Sequence, residues 1–138
     1  MRWIGIILLF VCLSASAGDV QYLSTDRFRE HVFDFRKEKE WCYKGDTPCV
    51  IDFYARWCKP CQLLTPVMEE LSETYCDQVI FYRTDTDLEP ELAYYFMINA
   101  IPLVMYIPVE GEPVFSQGLY PWEDMTKIID GYLLKVDK

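Results

Sequence analysis

Strand-like and helix-like hydrophobic patterns alternate along most of the chain. The clearest strand pattern is the nearly continuous apolar run of residues 49–55, which is typical of a central strand buried on both faces of a sheet. One charged residue, Asp52, interrupts this run. The next segment, residues 59–75, has apolar side chains at helical spacing, and Pro66 within it predicts a kinked helix.

The same patterns predict the other elements of one α/β domain. Residues 24–26 offer N-cap candidates for a first helix that extends to about residue 38, with Phe28, Val32 and Phe35 on one face. The remaining predicted strands and helices cover residues 20–23, 79–84, 90–96, 103–107, 114–117 and 120–134. The order β-α-β-α-β-α-β-β-α predicts a central mixed sheet with helices on both faces.

The first 17 residues have the three-part pattern of a secretory signal peptide. Arg2 is the positive end, residues 4–13 are apolar, and Ala15 and Ala17 form the small-residue pattern of a cleavage site. We expect cleavage after Ala17, which would leave residues 18–138 as a single exported domain, periplasmic or otherwise extracytoplasmic. The alternative is a retained signal anchor, but the apolar run is shorter than the roughly 20 residues that span a bilayer.

Composition narrows the range of functions. Of the 138 residues, 51% are hydrophobic, which predicts a folded domain rather than a disordered chain. The formal net charge is -9. A nucleic-acid partner is not expected, because binding to phosphate requires a basic face.

The candidate chemistry lies in two cysteines at the junction of the buried strand and the kinked helix. Cys58 and Cys61 are separated by two residues, which is a redox spacing at such a junction. The helix N-terminus would stabilise a thiolate on Cys58, the expected nucleophile, and Cys61 could then resolve the mixed disulfide. Trp57 would shield one side of the pair. Lys59 would place a cation beside the thiolate, or it is simply a solvated loop charge.

Residues 52–61, Asp-Phe-Tyr-Ala-Arg-Trp-Cys-Lys-Pro-Cys, closely resemble the active-site segment of thioredoxins. Pro66 in the following helix, the Ile101-Pro102 pair before a strand, and the late Gly118 resemble that family as well. The resemblance extends over about residues 20–134. It implies a thioredoxin fold and a protein-disulfide reductase that exchanges a redox-active Cys58–Cys61 disulfide with substrates, without a cofactor or a metal.

The resemblance also implies roles for individual residues. Asp52 would be a buried carboxylate that assists deprotonation of Cys61, because burial raises its pKa towards neutrality. The alternative is an aspartate bonded to backbone at a strand end. Pro102 would adopt the cis form, pack against the cysteines and exclude metal ions, and Ile101 would offer backbone groups to an extended substrate. The implied substrate-binding residues are Trp57, Lys59, Pro60, Ile101, Pro102 and Gly118.

The segment before the buried strand departs from common thioredoxins. It resembles secreted bacterial variants with an extended first helix, and it carries Cys42 and Cys49. A disulfide between them would close a short loop and contribute about 2–3 kcal/mol on the chain-entropy account. We expect this pairing and a free Cys76, although Cys76 is an alternative partner for either cysteine. A lysine that accompanies the buried aspartate in the family is replaced by Arg83.

The expected function is therefore reduction of disulfides in exported proteins, supplied with electrons by an upstream thiol donor such as a membrane reductant. One alternative is an oxidase or isomerase of protein disulfides, which an oxidising compartment favours. Another is a binding module or a metal carrier of the same fold. A zinc site would need two ligands beyond Cys58 and Cys61.

Overall fold

The computed structural model describes residues 18–136, so the predicted signal peptide lies outside the described residues. The elements follow the predicted order. They are β1 (Gln21–Tyr22), α1 (Thr25–His31), β2 (Cys49–Tyr54), α2 (Lys59–Thr74), β3 (Ile80–Asp85), α3 (Pro90–Tyr95), β4 (Leu103–Ile107), β5 (Val114–Gln117) and α4 (Trp122–Ile128). A π-helical segment, Ile129–Leu133, continues α4 almost to the predicted end of the last helix.

The five strands form one mixed sheet in the order β1-β3-β2-β4-β5. β1 and β2 both run parallel to β3, whereas β4 is antiparallel to β2 and to β5. β2 is therefore central, which explains its continuous apolar run, since both of its faces are covered. The predicted mixed sheet is confirmed.

Successive side chains of β2 point to opposite faces of the sheet and enter two separate hydrophobic clusters. Val50 packs with Leu64 and Met68 of α2. Ile51 and Phe53 belong to the other cluster, which contains residues of α1 and α3. Helices thus cover both faces of the sheet. Asp52 has the same parity as Val50, and it therefore faces the side of the sheet that α2 covers.

The first helix is shorter than its apolar periodicity predicts. α1 ends at His31 instead of continuing to residue 38. The carboxylate of Asp34 accepts hydrogen bonds from Arg29 Nε at 2.9 Å and from the backbone N–H of Arg36 at 3.3 Å. A hydrogen bond from the backbone N–H two residues ahead to an aspartate side chain stabilises a turn, which competes with continuation of the helix. Phe35 still packs on Phe28, but from outside the helix.

The predicted Cys42–Cys49 disulfide is wrong, because both cysteines are free. Cys42 is exposed, whereas Cys49 begins the central strand with its side chain fully buried in the core. The strand holds the Cys49 thiol inside the core, whereas the Cys42 thiol lies at the surface. Cys76 is not a free thiol, which corrects the second part of that expectation.

Within residues 18–136, no helix has both the length and the apolar character needed to cross a membrane.

Candidate functional site

The site is centred on a disulfide between Cys58 and Cys61 at the N-terminus of α2. Their Cα atoms are 5.2 Å apart, and both side chains are almost completely buried. Cys58 is the N-cap residue, with an extended backbone before the first helical turn. A C-x-x-C pair can close here because one helical turn brings the second cysteine back beneath the first.

The cap geometry indicates how Cys58 would carry a negative charge after reduction. Its Sγ accepts a hydrogen bond from the backbone N–H of Cys61 at 3.3 Å. That N–H belongs to the first turn of a 16-residue helix, where backbone donors lack partners within the helix and the helix dipole favours an anion. The first turn contains no acidic residue to oppose this.

The loop before β4 lies directly against the disulfide. The Ile101–Pro102 peptide bond is cis, and Pro102 is buried. Cys58 Sγ lies 4.0 Å from the carbonyl oxygen of Ile101, which could accept the S–H proton of the reduced thiol. Ile101 also packs on the small cluster that contains both cysteines.

Gly118 completes this side of the site. Its backbone N–H donates to the carbonyl oxygen of Pro102 at 2.8 Å, which joins the end of β5 to the proline loop. Gly118 has a φ of +85°, a conformation that residues with a Cβ rarely adopt, although a Cβ there would meet no neighbour. The backbone conformation, rather than lack of space, therefore explains the glycine.

Three predicted substrate-binding residues next to the two cysteines in the chain are exposed: Trp57, Lys59 and Pro60. The indole of Trp57 is 70% exposed and is held at its edge, where Nε1 donates to Asp87 Oδ2 at 2.9 Å. The indole face is thus available to a substrate.

Two residues of this arrangement were missed by sequence reasoning. Asp87 binds Trp57, and the buried carboxylate of Asp85 accepts hydrogen bonds from the backbone N–H groups of Asp87 at 2.9 Å and Leu88 at 3.4 Å. Asp85 therefore shapes the loop that fixes Trp57. The alternating Asp85-Thr86-Asp87 pattern after a buried strand is a turn signal, but it does not indicate which side chain the turn would contact.

Asp52 lies in the sheet beneath α2 and is 4% exposed. Burial raises the pKa of Asp52 to about 7, although the positive charge of Arg83 on the neighbouring strand opposes this rise. Oδ1 of Asp52 is buried and has no hydrogen-bond partner within residues 18–136. A carboxyl group in this state gains or loses a proton near neutral pH, as proton exchange with a thiol requires.

A small cavity joins Asp52 to the helix that carries the cysteines. Asp52, Thr65 and Arg83 line it. The Thr65 hydroxyl donates to the carbonyl oxygen of Cys61 at 3.2 Å. The cavity therefore lies one helical turn beyond Cys61, where polar side chains, Thr65 and Arg83, and apolar ones, Val20 and Met68, line it together with Asp52.

The comparisons with known proteins agree with this geometry. The family model described as Thioredoxin matches residues 20–131, most of the chain. A thioredoxin of Borreliella burgdorferi is 38% identical over 110 residues, which cover 80% of this chain and 94% of that protein. The chain belongs to the thioredoxin family.

Solved structures of thioredoxins share the fold. The thioredoxin of Malassezia sympodialis, Mala s 13, superposes with a TM-score of 0.67 and 30% identity, over 85% of this chain and 94% of that one. Chloroplastic thioredoxin z has a TM-score of 0.69 over 80% of this chain and 91% of that one, but its 24% identity shows the fold alone. The predicted thioredoxin fold is confirmed.

Family and site together establish the general chemistry: the protein is a thiol–disulfide oxidoreductase. The structure brings together the predicted catalytic pair, the Ile101–Pro102 loop, Gly118 and the exposed Trp57. Among residues 18–136, no group of three or more His, Cys, Asp or Glu side chains is placed to hold a metal ion. The individual roles of Asp52 and Lys59 stay predictions.

Proposed function

We propose that this thioredoxin-family protein reduces disulfide bonds of exported proteins. The thiolate of Cys58 attacks one sulfur of the client disulfide, forms a mixed disulfide and releases the first client thiolate. Cys61, deprotonated with help from Asp52, then attacks the sulfur of Cys58 and releases the second client thiolate. Two electrons pass to the client, and the protein is left with the Cys58–Cys61 disulfide.

The observation that carries the direction of this proposal is the environment of the Cys58 sulfur. Strong oxidants of this fold type owe their potential to a reduced form stabilised by interactions with the thiolate. Within the described residues, the Cys58 sulfur accepts one hydrogen bond, from Cys61 N–H. The residues between the cysteines, Lys59 and Pro60, are exposed, and neither is an imidazole that could approach the sulfur. Modest stabilisation of the thiolate favours a reductant.

The buried carboxyl group of Asp52 also favours electron transfer from this protein to the client. Above its pKa of about 7, the buried carboxylate carries a negative charge beneath the helix that holds the cysteines. A second negative charge on a thiolate at the start of that helix is then disfavoured, because like charges repel strongly away from water. Reduced, ionised cysteines are destabilised relative to the disulfide, which again favours electron donation.

Equilibration with defined mixtures of reduced and oxidised glutathione tests the direction. We expect the Cys58–Cys61 pair to remain oxidised until the glutathione pool is strongly reducing, with a potential near the thioredoxin value of about −270 mV. A potential near the about −120 mV of strong oxidants would instead establish the oxidase reading. An intermediate value close to about −180 mV would favour an isomerase.

Export is the second part of the proposal, and the sequence pattern of residues 1–17 supports it. Outside the cytoplasm, a reductase requires a thiol donor that renews its dithiol, because disulfides persist there. Mass spectrometry of the protein from its native host should find a mature chain that begins at Gly18. A cytoplasmic, full-length chain would contradict export while leaving the chemistry unchanged.

A further inference from the structure

The side chain of Thr65 contacts both the second cysteine of the pair and the cavity beside Asp52. Its hydroxyl donates to the carbonyl oxygen of Cys61 at 3.2 Å, and the same side chain lines the cavity together with Asp52. Among the residues that the structure describes, no other side chain of the cavity lining makes a hydrogen bond to either cysteine. The exchange reaction described above uses Asp52 and leaves this hydroxyl without a role.

The buried carboxyl group of Asp52 lacks a hydrogen-bond donor that the cavity is able to supply. Oδ1 of Asp52 is buried and has no partner within residues 18–136. A buried carboxylate oxygen is costly unless a donor satisfies it. The cavity has a volume of about 40 Å³, which is enough for one or two water molecules. The Thr65 hydroxyl can therefore donate to Asp52 directly or through one bridging water.

The hydrogen bond from the Thr65 hydroxyl to Cys61 can be given up at small cost. Both residues belong to α2, and in an α-helix the carbonyl oxygen of residue 61 also accepts the backbone N–H of residue 65. The hydroxyl therefore adds a second bond to an oxygen that already has a partner. A hydroxyl has a single proton, which rotates to the better acceptor, and a carboxylate is a stronger acceptor than a peptide carbonyl.

Several other ionisable groups influence Asp52, and they are the same in every variant of Thr65. Those that line the cavity or interact with Asp52 are Arg83 on β3, Tyr54 on β2, Tyr106 on β4 and Glu69 on α2. Cys61 on α2 is a further one in the reduced protein. A change in the titration of Asp52 when only Thr65 is substituted therefore reports the hydroxyl.

We infer that Thr65 is a positioning residue for the second step of the exchange: its hydroxyl turns from the Cys61 carbonyl to the ionised Asp52 carboxylate and stabilises the form that accepts the Cys61 proton. Once Asp52 has taken that proton, the hydroxyl returns to the Cys61 carbonyl. The Cys61 thiolate attacks the Cys58 sulfur, so the proton ends on Asp52 and the electron pair on the departing client sulfur. The inference rests on the proposed role of Asp52, but not on the net direction of electron flow.

NMR of the Asp52 carboxyl carbon in the oxidised protein, where Cys58 and Cys61 do not titrate, tests the contact directly. Thr65→Val keeps the shape of the side chain and removes the hydroxyl. It should raise the midpoint of the Asp52 titration by about half a pH unit, because the charged form alone loses a donor. Thr65→Ser retains the hydroxyl and should leave the midpoint near that of the wild type.

Thr74→Val is the matched control. Thr74 is an exposed threonine of the same helix, and its hydroxyl makes the same kind of bond, to the carbonyl oxygen of Glu70 at 2.9 Å. It does not line the cavity beside Asp52. The control should therefore leave the Asp52 midpoint unchanged.

Stopped-flow mixing of the reduced protein with the chromogenic aryl disulfide dithionitrobenzoate measures the second step, with Cys42→Ser in every variant to remove the exposed thiol. Attack by the Cys58 thiolate releases one coloured thiolate, and attack by Cys61 on the mixed disulfide releases the second. In Thr65→Val the second release should be about twofold slower at pH 7, where less Asp52 is ionised, and unchanged at pH 9. The first release should be unchanged at both pH values.

An unchanged Asp52 midpoint in Thr65→Val, a shift of equal size in Thr74→Val, or a Thr65→Ser midpoint as high as that of Thr65→Val would overturn the inference. So would equal slowing of both releases at pH 7 and pH 9, which indicates a structural defect. Failure of the proposed role of Asp52 looks different: Asp52→Asn would then release the second thiolate as fast as the wild type. A raised midpoint in Thr65→Val would still show that Thr65 donates to Asp52.

Discussion

Asp52 places an ionisable carboxyl group in the most buried strand of the molecule, where a hydrophobic residue would pack without a penalty. Burial raises its pKa to about 7, and its Oδ1 has no hydrogen-bond partner among the described residues. Carboxyl groups with such a shifted pKa cluster at functional sites, which supports the role proposed for Asp52. The sequence indicated this residue through its position in an apolar run and its distance from Cys58, whereas the cavity beside it could not be predicted.

The cost of Asp52 predicts a pH-dependent effect of Asp52→Asn. The unfolded chain releases this proton near pH 3.8 and the folded protein near pH 7, so the unfolded state binds fewer protons between these values. The free energy of unfolding should therefore fall as pH rises from about 4 to about 7 and stay low above that. The substituted amide does not ionise and so removes this loss, and the variant should exceed the wild type by up to about 4 kcal/mol at pH 8.

Urea unfolding at pH 4 and at pH 8 measures this difference. At pH 4 the two proteins should differ little, since Asp52 is then protonated in the folded state and pH 4 lies only just above its unfolded-state pKa of 3.8, so that little of the pH-dependent loss has accumulated. Asp77→Asn is the control, because Asp77 is exposed and no comparable burial acts on it. A stability difference of equal size at both pH values would contradict an origin in ionisation.

Among the elements, the loop between β3 and α3 connects the sheet to the active site. The Asp85 side chain is 2% exposed, and its Oδ1 accepts hydrogen bonds from two backbone N–H groups of the loop. Arg56 Nε lies 3.6 Å from Oδ2 of the same carboxylate. The loop in turn presents Asp87 to Trp57. Strand and helix patterns predicted β3 and α3 closely, but this side-chain contact depends on the folded loop.

Asp85→Ala should release this loop. Two backbone donors would lose their acceptor, at a cost of about 1–3 kcal/mol, and Trp57 would lose its fixed partner. We expect faster hydrogen exchange at the amides of Asp87 and Leu88 and a change in the fluorescence of Trp57. Asp77→Ala, at an exposed aspartate in the turn after α2, should change stability by less than about 0.5 kcal/mol.

Unchanged exchange at both amides in Asp85→Ala would show that the loop holds its shape without the buried carboxylate. In that case the orientation of Trp57 would depend on Asp87 alone.

At the scale of the whole molecule, hydrophobic patterns predicted the order of the elements correctly, whereas cysteine spacing did not predict the disulfide pairing. The order of strands and helices follows from periodicity, and the C-x-x-C pair, Ile101-Pro102 and Gly118 converge at one end of the sheet. The Cys42–Cys49 pairing failed because spacing along the chain does not reveal which face of a strand a thiol occupies. The early end of α1 was not predicted because it depends on the ion pair between Arg29 and Asp34. Hydrophobic periodicity carries no information about that contact.

The most direct test of the central claim measures reduction of insulin by dithiothreitol with wild-type protein, Cys58→Ser and Cys42→Ser. Both substituted residues are cysteines of the same chain, but Cys42 is an exposed thiol in the segment between α1 and β2, whereas Cys58 caps α2. We predict that wild type and Cys42→Ser accelerate the reduction equally and that Cys58→Ser lowers the catalysed rate to background. Retention of activity by folded Cys58→Ser would contradict the account, because no other residue is assigned the attack.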